Sequence, residues 1–259
     1  MTHICKNCNH HYKGNFCSNC GQKADVGVFS FHHIFHEAIH AFTHADKGFL
    51  VLLKKLIVSP GIVAYEYIVE GKRKKFFNPF TFFALIIAIY AFVENRELNI
   101  KEEIFQVNNE YGHVFNFLSK AYLLLSIPLL AFIIWLLHYK KSKLLYSEYT
   151  VLSMIIISQL SIFNILVKIG NYCLTLFFHS SKGLDENIFY PILMVLIITT
   201  TVFQFHKRLH KQNLAKSFVC GIGYIAIEIS LSMLTIWAFL RHFNGLGIFY
   251  MYGINISGN

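Results

Sequence analysis

The sequence predicts an all-α membrane protein of about five transmembrane helices, preceded by interfacial amphipathic helices and a small N-terminal zinc ribbon. Three observations predict it. Hydrophobic residues fill 55% of the 259 positions and charged residues only 14%, against roughly 25% charged in a soluble domain that must hydrate its surface. Five apolar stretches have the length of a bilayer crossing. Four of the six cysteines fall in the first twenty residues, as two C-x2-C pairs.

The N-terminal element, residues 1–24, is built on Cys5-Lys-Asn-Cys8 and Cys17-Ser-Asn-Cys20. A C-x2-C turn sets two thiolates one coordination edge apart, and two such turns supply the four soft ligands of a tetrahedral zinc. Gly14–Asn15 suits the tip of a returning hairpin, and Gly21 suits the tight turn after the second pair. No apolar core of signal-peptide length occurs between Met1 and Asp25, so the thiols are expected in a reducing compartment, where metal binding is favoured over disulfides. The predicted cofactor is one structural Zn2+ on Cys5, Cys8, Cys17 and Cys20. Four protein thiolates leave no open coordination position, which argues against catalysis at this metal. Two matched pairs argue against a redox dithiol. The module's own cations, Lys6, Lys13 and Lys23, are too few for a phosphate footprint, so nucleic acid is disfavoured as a partner.

Residues 25–78 follow a different logic. Phe29 to Val58 reads as one or two amphipathic helices, too interrupted by His, Asp and Lys to span. Within it His33, His36, His40 and His44 recur at helical spacing and form one stripe, and His36 and His40 stand at a chelating separation. The bland reading of the stripe is an interfacial polar face; the sharper one is a second metal site. Ser59-Pro60-Gly61 then starts a new helix, with Ser59 as N-cap and Pro60 in its first turn. Gly71 stops it. The run Lys72, Arg73, Lys74, Lys75 follows, where each cation near an anionic leaflet contributes roughly 1 kcal/mol. It reads as a topology anchor, with lipid-headgroup recognition as the sharper alternative. Asn78-Pro79 repeats the start signal.

The five spans of the bundle, residues 79–241, are placed at about Pro79–Val93, Ala121–His138, Tyr149–Ile169, Ile188–His206 and Ser217–Leu240. Seventeen of the 23 Lys and Arg residues then fall on the N-terminal side of the membrane. By the positive-inside rule the N-terminus is cytoplasmic and the tail, residues 242–259, lies outside. This placement also accounts for the net charge of +9 before any nucleic acid is invoked.

Two polar groups inside the spans are singled out. Glu228 sits mid-span, where an ionisable residue costs at least about 2.5 kcal/mol and is a candidate functional site by default. Counting depth along the third span puts Gln159 level with it, so Gln159 is the expected partner rather than Lys168. An interhelical hydrogen bond is the bland reading, worth about 0.6 kcal/mol on average.

The arrangement resembles a family of uncharacterised bacterial multi-pass membrane proteins with an N-terminal zinc ribbon and a Pro-Gly…Glu-Tyr…Gly-Lys-Arg…Asn-Pro-Phe signature ahead of the first span. Here the signature reads Pro60-Gly61, Glu66-Tyr67, Gly71-Lys72-Arg73 and Asn78-Pro79-Phe80, with Phe16-Cys17 and Cys20-Gly21 in the ribbon. The resemblance implies a bacterial inner membrane and carries no activity. The leading expectation is a non-enzymatic scaffold or accessory subunit, held in the lipid bilayer and meeting a protein partner at its cytoplasmic face. One alternative is a solute or ion transporter using Glu228 and Gln159; another is a membrane metalloenzyme using the histidine stripe. Oligomeric state is left open, a homo-oligomer included.

Overall fold

The computed structural model describes residues 3–24, 48–105, 110–178, 186–211 and 213–242. Its described part is a two-stranded hairpin, β1 (His3–Ile4) with β2 (His11–Tyr12), followed by seven helices. These are α1 (Gly48–Val58), α2 (Pro60–Ile68), α3 (Pro79–Phe105), α4 (Glu110–Ser142), α5 (Tyr146–Phe178), α6 (Glu186–Arg208) and α7 (Leu214–His242). Among the described residues, α3, α4, α5 and α7 contain stretches long and apolar enough to cross a membrane. The helix α6 occupies the fourth expected span and ends on His206, Lys207 and Arg208.

Local chemistry sets the helix ends. Asn78 caps α3 with its side-chain oxygen, which accepts from the amides of Phe80 (2.9 Å) and Thr81 (3.4 Å). Ser59 stands at the N-cap of α2, yet its hydroxyl makes no capping bond; the start rests on Pro60 at the first turn. After α2 the chain turns at Gly71, whose φ of +69° is open to glycine at little cost. The helix α3 runs twelve residues past its expected end at Val93, through Glu94, Arg96 and Glu97. The apolar run stops at Val93, but the helix does not, because two of those carboxylates have a cation to meet on α5.

The helix α5 is the centre of the bundle. Tyr149 to Ser161 are buried without a break. In its spanning stretch 72% of residues are buried inside the protein, against 22–33% in the other three, so those three keep a broad face for lipid. Around α5 stand α3 and α4, with α7 packed on α4 and α6. The nine-residue helix α2 fills the space beside α5 and α6, burying Val63, Ala64, Tyr67 and Ile68.

Close helix approach follows from two glycines. A Cβ at Gly61 would lie 2.4 Å from the Thr201 carbonyl oxygen and 2.7 Å from the Phe205 nitrogen, so α2 rests directly on the α6 backbone. A Cβ at Gly221 would meet the Val195 Cα and carbonyl at 3.1 Å, which marks the α6–α7 crossing.

Candidate metal centre and buried polar groups

The four cysteines converge. Their sulfurs lie within 4.8 Å of one another, with Cys5 and Cys20 at 3.5 Å and Cys8 and Cys17 at 3.6 Å. All four are free thiols. A metal–sulfur bond of about 2.3 Å sets tetrahedral edges of about 3.8 Å, so these separations fit a tetrahedral cation. Two similar turns bring the sulfurs together. In the first, the Asn9 amide donates to the Cys5 carbonyl (2.8 Å), the Cys5 amide donates to His10, and Asn9 takes φ +58°. In the second, the Gly21 amide donates to the Cys17 carbonyl (2.8 Å), the Cys17 amide donates to Gln22, and Gly21 takes φ +71°. The β1–β2 pairing and the Phe16–Lys23 bridge close the hairpin over Tyr12, buried against Cys5 and Cys17.

The thiols are poised unequally. The main-chain N–H of His10 beside the Cys8 sulfur brings its pKa down to about 7. Burial pushes Cys20 up to about 11. A divalent cation among the sulfurs stabilises all four thiolates together. The donor set therefore fits a thiophilic metal ion.

The side chain of Gln22 fastens the module to the helical part. Gln22 is 3% exposed; its amide nitrogen donates to the Gly71 carbonyl (2.9 Å), and its amide oxygen accepts from the Lys74 main-chain N–H (3.5 Å). No sequence signal singled it out, since a glutamine two residues past the last ligand has no pattern of its own.

Lys72 and Lys75 of the basic run are engaged by carboxylates. Lys75 Nζ lies 2.6 Å from a Glu66 oxygen, while Lys72 and Lys55 approach Glu66 at 3.9 Å. Lys72 also pairs with Glu70. Burial alone would raise the Glu66 carboxyl, but the Lys75 hydrogen bond and the Lys75, Lys55 and Lys72 charges outweigh it and hold it below the usual carboxylate range. Arg73 is half-buried and Lys74 is exposed. Glu66, Glu70, Lys55, Lys72 and Lys75 thus form one charged cluster at the foot of α2.

Within the bundle, Gln159 and Glu228 do not pair as expected. The Gln159 side-chain oxygen accepts from Thr201 Oγ1 on α6 (3.3 Å), and Glu228 is hydrogen-bonded to Tyr224, one turn away on α7. Equal depth did not bring the two together, because α7 packs on α4 and α6. Lys168 instead meets α3: its ammonium lies 3.4 Å from Glu94 and 3.5 Å from Glu97, and the Tyr90 hydroxyl donates to Glu94 (2.9 Å).

A second buried polar cluster joins the other end of α5 to its neighbours. The Tyr149 hydroxyl stands 2.7 Å from Ser142 Oγ and 3.3 Å from His206 Nε2. The His206 and His138 rings stack with centroids 3.9 Å apart, and each Nδ1 faces the carbonyl one turn back on its own helix, Val202 and Ile134. Lys216 Nζ reaches the Leu137 carbonyl (2.6 Å). These bonds gather the α4–α5 and α6–α7 junctions, with their lysines, at one end of the bundle. Both histidines stand at the ends of apolar runs beside lysines, so the sequence alone marks them only as span boundaries. His33, His36, His40 and His44 lie outside the described residues, as do residues 243–259 of the tail.

No curated protein and no solved structure matches the chain. Residues 46–91 match the model of a family described as a protein of unknown function (DUF3667). That stretch takes in α1, α2, the Gly71 turn, the basic run and the first half of the apolar stretch of α3. Over those residues the chain is similar to an uncharacterised family.

Proposed function

We propose that the chain is a non-enzymatic membrane module whose N-terminal four-cysteine element binds one zinc ion and serves, with the helices next to it, as a docking platform at the cytoplasmic face of a bacterial inner membrane. The observation that carries this reading is the closed set of four convergent thiolates attached, through Gln22, to the turn that leads into the first span. Four sulfur ligands complete the coordination of zinc and give it a structural role. Twenty-odd residues bury too little to fold alone, so the metal supplies the stability of the module. The cytoplasmic placement rests on the bias of Lys and Arg toward the N-terminal side of the spans. The Lys72–Lys75 run fits an anchor at that face, with Lys74 exposed toward headgroups and Lys72 and Lys75 engaged by Glu66 and Glu70.

Conduction through the bundle has less support, since Glu228 bonds within its own helix and Gln159 is occupied by Thr201. The docking reading is tested by deleting residues 1–24 from the otherwise complete protein and comparing the proteins that co-purify in stoichiometric amount. Loss of one or more partners is expected. An unchanged set contradicts the platform role.

A further inference from the structure

The partner that the four-cysteine module demonstrably meets is its own chain. Gln22 belongs to the second metal-binding turn: its carbonyl accepts from the Cys17 amide (2.8 Å), three residues before the last ligand, Cys20. Its side chain leaves the module and reads a main-chain acceptor and a main-chain donor of one turn, the Gly71 carbonyl and the Lys74 amide. Other contacts also hold that turn: the Lys72 amide donates to the Glu66 carbonyl (3.0 Å), Lys75 pairs with Glu66, and Phe76 and Phe77 are buried in the core. The turn spans Gly71 to Asn78, between the end of α2 and the cap of α3, and is braced by short internal bonds such as Arg73 to Gly71 (2.9 Å) and Lys75 to Lys72 (3.3 Å). It also carries the lysines that surround Glu66.

From this geometry we infer that the module is a metal-dependent clamp on the Gly71–Lys74 turn, with Gln22 as its positioning residue. The inference rests on the reading of the four cysteines as a metal site. With metal bound, the second turn is fixed and the Gln22 amide is delivered to Gly71 and Lys74. Without metal, a module this small loses its fold, and the turn loses both bonds. The metal state of the module thereby sets how firmly the Gly71–Lys74 stretch ahead of the first span is held. The chemistry at Gln22 is a neutral amide against neutral backbone groups, so the clamp is insensitive to salt, unlike the surrounding lysine–carboxylate pairs.

The test uses the full-length protein in detergent or nanodiscs and follows main-chain hydrogen exchange in residues 71–77, with metal content measured on the same samples. Chelation is expected to speed exchange there about three- to tenfold, the range expected for loss of one or two hydrogen bonds, and zinc added back to restore it. The Gln22→Ala variant is expected to keep its metal, to exchange fast with metal present, and to show no further rise on chelation. Exchange that is unchanged when a measured metal is removed overturns the clamp while leaving the metal site intact. So does a Gln22→Ala variant whose turn exchanges as slowly as the natural one. Absence of metal from the purified protein overturns the metal reading, and the clamp with it.

Discussion

The main-chain N–H of Gly61 donates to the side-chain oxygen of Gln204 at 3.2 Å, and this bond is made where α2 touches α6 with no side chain between them. The contact needs glycine. A methyl at Gly61 would meet three atoms closer than 3.0 Å, two of them backbone. Gly61→Ala is therefore expected to destabilise the protein by about 1–3 kcal/mol, the usual cost of overpacking a core that cannot yield. Thermal unfolding in a fixed detergent checks this. An unchanged midpoint would mean that α2 is not seated on α6.

The Lys168 ammonium stands between Glu94 and Glu97, all three largely removed from solvent. Removing one partner of such a set leaves uncompensated charge, at a cost of about 3–5 kcal/mol. Lys168→Met is expected to lower stability by that order, and the Lys168→Met, Glu97→Gln double variant to recover part of it. Additive losses in the two variants would show that the groups do not interact.

The Glu66 carboxyl titrates below its ordinary range in the folded protein, because Lys75, Lys55 and Lys72 outweigh its burial. A depressed folded pKa contributes stability above the unfolded carboxylate value, near pH 4. That contribution is lost as pH falls through the folded value. Unfolding followed from pH 6 downward should show a drop in this acid range. In Glu66→Gln the part of the drop due to this group disappears. Identical acid profiles in the two proteins would remove Glu66 as the organiser of the basic run.

The hydroxyl of Tyr149 bridges Ser142 of α4 and His206 of α6 from the buried start of α5. Tyr149→Phe keeps the ring and deletes the bridge, leaving buried polar atoms unsatisfied at a cost of about 1–3 kcal/mol. Calorimetry or denaturant unfolding reads this directly. A variant as stable as the parent would mean that water takes over the bridge.

Signals that depend on local spacing were legible in the sequence. The two C-x2-C turns fixed which sulfurs converge, Asn78-Pro79 marked the start of α3, and the apolar runs placed five helices whose cores match α3 to α7. What the sequence could not supply is rotation about a helix axis and pairing over long separations. Depth alone suggested Gln159 for Glu228, but the side of α5 that bears Gln159 faces Thr201. The helix α3 continues past Val93, where its apolar run ends, and Glu94 and Glu97 there meet Lys168, some seventy residues away in the chain. The Gln22 contact with Gly71 crosses 49 positions and has no periodic signature. His138 and His206, stacked in the fold, are separated in the chain by all of α5.

The most direct test of the account is the metal content of the full-length protein purified in detergent, beside a form with Cys5, Cys8, Cys17 and Cys20 all replaced by serine. One zinc per chain in the natural protein, absent from the serine form, is the predicted result. Metal-free natural protein, or equal metal in both forms, would contradict the claim that the four cysteines form a structural metal site.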